Sequence, residues 1–220
     1  MKKYHYTAMF VFSLLAISCF SQGPMKMNLQ ELYKKNEIEV YNRELTLINE
    51  KSYPGIRLSK DYGEGIAWLK DIDFSKGILE FDVRGEDVKQ HSFVGIAFHA
   101  QNDSTFEAIY LRPFQFKSTD ETLRSHSIQY IALPTFTWQV LRANSPGKYE
   151  HAIDPSPDPN GWVRVRIVIK EATISTYING EKEPSLVVEK FTPYTHGSVG
   201  FYVADTSGGD FANLMITKSE

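Results

Sequence analysis

The sequence predicts an all-β domain of about a dozen short antiparallel strands, arranged as a sandwich or a barrel. Apolar and polar residues alternate in runs that recur at roughly 8–12-residue intervals, with turn residues between them. Aromatic residues, which are enriched in strands, make up 13% of the 220 residues. Helical spacing is clear only in segment 28–35, where Leu29, Leu32 and Tyr33 follow an i, i+3, i+4 pattern. Without an internal linker or repeat, we expect one domain over 38–220, preceded by a short segment at 22–37.

The first strands are predicted in three segments: 38–48 (one strand or two), 65–69 and 77–84. In the third segment, GILEFDVR, Leu79, Phe81 and Val83 point to one face, while Glu80 and Asp82 point to the other. This alternation is typical of a strand with one face in the core.

Further strands are predicted in the middle of the chain, at 93–101, 106–114, 127–133 and 137–141. A hairpin turn at 102–104 joins the first two of these strands. Alternation along the two strands directs His99, Tyr110 and Arg112 to the same face, so we expect these side chains to lie next to one another.

The C-terminal part contains the clearest strand, WVRVRIVIK at 162–170, with Val163, Val165 and Ile167 directed to the core. The remaining strands are predicted at 173–178, 198–204 and 211–217. Asn179 and Gly180 form a two-residue hairpin turn after the first of these. Segments 155–161 and 205–210 are expected to be loops.

Segment 106–150 is unusually rich in large polar and aromatic side chains, a combination typical of sugar-binding surfaces. Rings stack on pyranose faces there, and forked donors reach hydroxyl groups. We therefore expect a carbohydrate ligand on the concave face of one sheet. The predicted ligand-binding residues are Tyr110, Arg112, His126, Gln129, Trp138 and Arg142.

Three residues are candidates for catalysis: His99, Glu107 and Arg112. His99 suits a general base, and Arg112 suits the stabilisation of developing charge. The alternatives are a solvated His99 and a surface ion pair of Arg112 with Glu107 or Asp103.

Other aromatic residues have competing structural roles. Trp138 is either a sugar platform or a core residue, and core burial is favoured because Val140 shares its face. Tyr149 is expected to pack within a loop, although the adjacent Glu150 and His151 are also a candidate acid–base pair.

The N-terminus has the features of an export signal over residues 1–21. Lys2 and Lys3 precede an apolar run at 8–17 that is too short to span a membrane. Cleavage after Ser21 competes with lipidation of Cys19, since segment 16–19 resembles a bacterial lipobox. We expect an exported protein, either periplasmic, extracellular or at the cell surface, with membrane attachment only through Cys19.

Charge and cysteine content narrow the class of protein further. The formal net charge is -3, and it becomes -5 (22 basic against 27 acidic residues) when Lys2 and Lys3 leave with the signal. This balance argues against a nucleic-acid partner and favours a neutral ligand over a polyanion. Cys19 is the one cysteine, so the domain must be stabilised by its core rather than by disulfides.

No cofactor is predicted. Asp154, Asp158 and Asn160 offer oxygen ligands for Ca²⁺, and so do Asp205 and Asp210, but loops of this composition are usually turns. The sequence has neither zinc-ligand spacing nor a phosphate-binding glycine loop.

The chain resembles the concanavalin A-like lectin/glucanase superfamily over roughly residues 38–217. Five motifs carry the resemblance: GILEFDVRG at 77–85, Trp162 with Arg166, Tyr177 with Asn179-Gly180, 197–200, and 211–213. They are most similar to 3-keto-disaccharide hydrolase domains, also described as family 16 glycoside hydrolase-like. The resemblance implies a two-sheet antiparallel jelly roll with a short N-terminal helix.

One departure from the superfamily pattern concerns catalysis. Family 16 glucanases carry an E-x-D-x-x-E motif, whereas here Glu80-Phe81-Asp82 is followed by Gly85 at the position of the second Glu. This difference argues against a retaining β-glucanase mechanism. Three functions remain open: a carbohydrate-binding domain, a glycoside hydrolase or lyase (a 3-keto-glycoside hydrolase included), and a non-catalytic cell-surface interaction protein.

Overall fold

The computed structural model describes residues 23–219, which form two antiparallel sheets packed face to face. The first sheet contains β1 (Met25–Lys26), β3 (Leu45–Glu50), β4 (Tyr53–Leu58), β6 (Lys76–Arg84), β11 (Val163–Ile169), β12 (Thr173–Ile178), β13 (Leu186–Glu189) and β15 (Gly209–Ser219). The second contains β2 (Ile38–Tyr41), β5 (Gly65–Phe74), β7 (Val94–Asn102), β8 (Thr105–Leu111), β9 (Ile128–Leu133), β10 (Glu150–His151) and β14 (Gly197–Val203). The helices are α1 (Leu29–Lys34), α2 (Glu121–Arg124) and α3 (Trp138–Asn144), with a 3₁₀ turn at Pro113–Gln115.

The strand order shows how the chain passes between the sheets. The eight-stranded sheet runs β13-β12-β11-β6-β15-β4-β3, with β1 paired to β15. The seven-stranded sheet runs β10-β9-β8-β7-β14-β5-β2. Sequential neighbours such as β2 and β3 lie in different sheets, and sequence-distant β6 and β15 are paired, which is the connectivity expected of a jelly roll.

The core lies between the sheets and follows the predicted alternation. Along β11, Val163, Val165 and Ile167 are buried, whereas the arginines between them are partly exposed. Phe201 of β14 reaches across and contacts Phe81 and Phe211 of the other sheet, with ring centroids 5.9 and 4.6 Å apart. Each fully buried phenylalanine contributes about 1.5–3 kcal/mol, so these contacts hold the sheets together.

Most predicted elements are confirmed, and α1 begins where expected, with the Asn28 side chain accepting a hydrogen bond from the Glu31 amide. Segment 38–48 forms two strands in different sheets, separated by Asn42 in the left-handed conformation (φ 51). The strand predicted at 137–141 is wrong. It is helix α3, because the Thr137 side chain accepts a hydrogen bond from the Val140 amide and so caps a helical turn.

Strands β1, β4, β10 and β13 are absent from the predicted ranges, because strands of two to six residues are too short to show a clear alternation. No helix within residues 23–219 is long and apolar enough to cross a membrane. The predicted export signal at 1–21 and its Cys19 lie outside the described residues.

Candidate functional site

A cavity of about 630 Å³ opens on the outer face of the seven-stranded sheet. Tyr110 and Tyr202 form part of its lining, and both alternate along their strands with residues that face the other sheet. Their rings lie 5.9 Å apart between centroids. Both side chains are almost completely buried, and burial raises the pKa of the Tyr110 phenol to about 12. The floor of the cavity is therefore a rigid aromatic surface whose hydroxyl groups stay protonated.

The walls of the cavity come from segments that are distant in sequence. On one side stand the 3₁₀ turn, the end of α2 and helix α3, which contribute Gln115, His126, Trp138 and Arg142 among others. On the other side lie residues of three connecting segments: Glu64, Gln90, Ala204 and Asp205. Five of the six predicted ligand-binding residues line this cavity, and Gln129 is the one that does not.

Arg112 is buried and has protein partners for most of its donors. Its Nη2 donates to the Tyr110 hydroxyl at 2.8 Å and to Gln129 Oε1 at 3.2 Å, and its Nη1 donates to the His126 carbonyl at 2.7 Å. Gln129 in turn donates to the backbone carbonyls of Tyr130 and Tyr149. Arg112 and Gln129 thus fix the position of Tyr110 in the cavity floor. The predicted surface ion pair of Arg112 with Glu107 or Asp103 is wrong, since neither carboxylate is among its partners.

Glu150 of β10 is the counter-ion of the two arginines in this wall, Arg112 and Arg142. Arg142 donates to it twice, from Nε at 2.7 Å and from Nη2 at 2.5 Å, and Arg112 Nη1 lies 3.7 Å away. The carboxylate is buried and is shared between the two guanidinium groups, so it balances one of their two positive charges inside the protein.

His126 stands next to the same carboxylate. Its Nδ1 lies 3.0 Å from Glu150 Oε2 but out of line for a hydrogen bond, and it has no other partner within residues 23–219. Burial lowers the His126 pKa, and Arg142 and Arg112 lower it further, although Glu150 acts in the opposite direction. The imidazole is therefore mainly neutral at neutral pH.

Trp138 stands at the rim of the cavity and is 40% exposed. The Arg142 guanidinium lies over the indole, 4.8 Å from its centre, which is the i, i+4 spacing of neighbours on helix α3. The favoured expectation of core burial is wrong, because a helix rather than a strand carries this residue and turns it outward.

Glu64 is a lining residue that the sequence analysis missed. The Tyr202 hydroxyl donates a hydrogen bond to its carboxylate. Burial raises the pKa of Glu64, and Asp205 raises it further, although Tyr202 and Arg43 lower it in part. The sequence signal that could have identified Glu64 is a charged residue between Gly63 and Gly65, directly before a buried strand.

His99 and Glu107 lie away from the cavity, in the interior near the end of the sandwich, and neither lines it. The prediction that His99 lies beside Tyr110 and Arg112 is wrong. The β7–β8 register shifts between Phe98 and Asn102, and His99 takes a left-handed conformation (φ 51) in this bulge. An extra residue in one strand turns the following side chain to the opposite face. The alternative of a solvated His99 is also wrong, since the side chain is fully buried.

Glu107 is the centre of a saturated hydrogen-bond network. It accepts from the Tyr130 and Thr192 hydroxyls, both at 2.6 Å, and lies 2.9 Å from His99 Nδ1. His99 Nε2 lies 2.6 Å from the Ser75 carbonyl. Burial by itself raises the Glu107 pKa, but hydrogen bonds from His99, Thr192 and Tyr130 outweigh it, so the pKa is lowered. Because protein groups engage the polar atoms of both Glu107 and His99, the network stabilises the interior and leaves no open catalytic pair.

The remaining candidates have structural partners. Tyr149 packs in the interior against Phe191, as expected. Glu150 is buried whereas His151 is exposed, which separates the candidate acid–base pair.

The loops considered for Ca²⁺ are occupied by internal contacts. Asn160 Oδ1 accepts from the Asp87 amide, and Asp210 accepts from Arg57 and Arg84. Within the described range 23–219, no three His, Cys, Asp or Glu side chains are grouped to hold a metal ion.

Comparisons with known proteins bear on the fold. No protein-family model matches the chain, and no curated protein matches its sequence. Solved structures do match. The carbohydrate-binding module CBM66 of Bacillus subtilis is 12% identical, with a TM-score of 0.59 over 81% of this chain and 93% of that one. A Bacillus subtilis protein of unknown function with a galectin-like fold is 13% identical, with a TM-score of 0.61 over 91% and 98%.

A third match is a native glycosidic hydrolase, which is 10% identical, with a TM-score of 0.57 over 88% of this chain and 94% of that one. At such identities the likeness concerns the backbone, and it spans both sheets. The chain is a two-sheet antiparallel jelly roll, the fold that the sequence resemblance implied.

Proposed function

We propose that the protein binds a glycan in the cavity on the outer face of the seven-stranded sheet. The observation that carries the proposal is the partly exposed indole of Trp138 at the rim of a cavity with a tyrosine floor. Ring surfaces of this kind stack on the apolar faces of sugars, and adjacent polar groups fix their orientation. The cavity volume of about 630 Å³ lies within the usual range for small-ligand sites.

The fold supports the same class of ligand. Among its structural neighbours are a carbohydrate-binding module and a glycosidic hydrolase, as their names state. A fold alone does not assign a function, so the proposal depends on the residues that line the cavity.

A glycan array tests the proposal with wild-type protein and the Trp138→Ala variant. Loss of the stacking surface is expected to weaken binding about tenfold or more. Tyr194→Ala is the matched control, because Tyr194 is 38% exposed but does not line the cavity. Equal losses in both variants, or no glycan bound by the wild type, would contradict the proposed site. The second result would favour a cell-surface interaction protein instead.

Cleavage of a glycoside is the second candidate function, and Glu64 is the observation that favours it. A glycosidase or lyase needs a carboxylic acid that keeps its proton and gives it to the leaving oxygen. Glu64 faces the cavity and has a raised pKa. Product analysis on oxidised (3-keto) and unoxidised disaccharides tests this role. Turnover that is lost in Glu64→Gln while binding persists supports an enzyme, and binding without turnover in the wild type excludes one.

Export belongs to the same proposal, because a glycan ligand would meet the protein outside the cytoplasm. The support is the charged and apolar pattern of segment 1–21. Intact-mass measurement of the protein from expressing bacteria tests it. A mature chain that begins at Gln22 indicates cleavage after Ser21, and an acylated chain that begins at Cys19 indicates a lipid anchor. An unprocessed Met1 chain would contradict export.

A further inference from the structure

The guanidinium donors around the cavity are largely engaged by protein acceptors before any ligand arrives. Arg142 gives two donors to Glu150, and Arg112 faces the same carboxylate at 3.7 Å. The charged groups on the opposite wall are carboxyl groups, those of Glu64 and Asp205. An acidic ligand would therefore meet guanidinium donors that protein acceptors already engage, and it would face the carboxylate of Asp205, which is unfavourable in a partly desolvated site.

Side-chain amides, in contrast, are left available. Gln90, Gln115 and Gln139 line the cavity from three separate segments. Their side-chain amides have no hydrogen-bond partner within residues 23–219, and Gln90 and Gln115 form hydrogen bonds there through backbone atoms only. Gln115 is the most informative of them, because only 8% of the residue is exposed. In the described part of the chain, the buried side-chain polar atoms without a partner belong to His126 and Thr176. The Gln115 amide must therefore reach open space, and the cavity is the space it lines.

A primary amide is suited to a sugar because it donates and accepts at once, as hydroxyl groups do. It carries no charge and so gives no advantage to a carboxylate or sulfate. An unpaired amide in a narrow site also penalises a ligand that cannot satisfy it. Three amides around one cavity form a recognition surface for a neutral polyhydroxylated ring.

We propose that the cavity selects neutral glycans over acidic ones and that the amides of Gln115 and Gln139 bind the hydroxyl groups that distinguish one neutral sugar from another. This inference rests on the proposed glycan-binding function. It gives Arg112 and Arg142 a positioning role: they hold the floor and the rim, and Arg142 fixes the indole of Trp138.

Calorimetric titration with matched pairs of oligosaccharides tests the selectivity. The probes are mannotriose with trimannuronate, and galactotriose with trigalacturonate, chosen so that each pair differs in the carboxylate. We expect the wild type to bind the neutral member of at least one pair at least tenfold more tightly than its uronate. Tighter binding of either uronate would overturn the inference while leaving glycan binding intact. If neither these probes nor a glycan array gives binding, the proposed function itself fails.

Two variants test the role of the amides with the neutral trisaccharide that binds best. Gln115→Met and Gln139→Met keep the side-chain length and remove the hydrogen bonds, so each is expected to weaken binding about tenfold. Gln139 is exposed on α3, so its replacement leaves the fold intact even if Gln115→Met does not. Gln30→Met is the control, because the Gln30 amide binds the Ile48 carbonyl outside the cavity. Unchanged affinity in both cavity variants would overturn the amide assignment.

Discussion

Glu150 accepts two hydrogen bonds from Arg142, at 2.7 and 2.5 Å, and the pair is the anchor of the cavity wall. Glu150 comes from a two-residue strand at the edge of one sheet, whereas Arg142 comes from the last turn of a short helix. The contact ties helix to sheet and holds the guanidinium over Trp138. The ion pair thus holds in place the part of the cavity rim that we propose as a sugar-stacking surface.

Replacement of Glu150 by Gln is expected to destabilise the fold by about 3–5 kcal/mol, because it leaves Arg112 buried without its counter-ion. Urea unfolding measures the change. Glu189→Gln is the control, since Glu189 forms an exposed pair with Lys148 and should change stability by no more than about 0.5 kcal/mol. A loss at Glu150 no larger than that of the control would show that Arg112 does not depend on this carboxylate.

Glu107 is expected to contribute stability that is lost in acid. Its folded-state pKa is below the ordinary value of 4.5, so its contribution is present above that value and is lost as pH falls through the lowered pKa. Glu107→Gln should therefore be less stable than wild type at neutral pH and should lose less stability on acidification. Urea midpoints at successive pH values measure both effects. Parallel pH profiles would contradict the role assigned to the carboxylate.

The same Glu107→Gln variant separates a structural role from a catalytic one. Because Glu107 lies away from the cavity, glycan affinity should stay within about twofold of wild type under conditions where the variant is folded. A selective loss of affinity or turnover, without a loss of stability, would instead support the catalytic role predicted for Glu107.

Glu64 is expected to show the opposite pH dependence. Its folded-state pKa is raised above 4.5, so the folded state binds a proton more tightly than the unfolded chain does. Stability from this group is full below 4.5 and is lost as pH rises through the raised pKa. Glu64→Gln, which mimics the protonated form, should remove that loss and be at least as stable as wild type at neutral pH. Thermal unfolding over a pH series measures it, and a steeper loss in the variant would contradict the assignment.

Gly95 lies under the cavity floor, where a larger residue has no room. A Cβ at this position would lie 2.0 Å from the Ile109 carbonyl oxygen and 2.6 Å from the Tyr110 Cα. Gly95→Ala is therefore expected to push β7 and β8 apart and to destabilise the protein by about 1–3 kcal/mol. Gly23→Ala is the control, since a Cβ there has no atom within 4 Å. Equal melting temperatures for the two variants would contradict the packing described for the floor.

The cavity shows how far sequence reasoning reaches. Tyr110 and Arg112 share a face as predicted, because β8 is regular up to Leu111 and the Arg112 amide continues its pairing by donating to the Ser127 carbonyl. His99 was misplaced since a bulge reverses alternation after Phe98, and nothing in the local residues reveals a bulge. Alternation around Trp138 predicts a strand because a capped helix of seven residues is too short to display its period clearly.

The sequence by itself determined the all-β class, the core-facing residues of the regular strands and the supply of aromatic and amide side chains, because these depend on composition and on a period of two. Only the tertiary structure decided which partner each charged group of the cavity meets. Glu150 meets Arg112 and Arg142 through pairing of β10 with β9, and Glu64 joins Tyr202 through pairing of β5 with β14. Such contacts are made by strand pairing and packing of segments that are distant along the chain, so local patterns do not contain them.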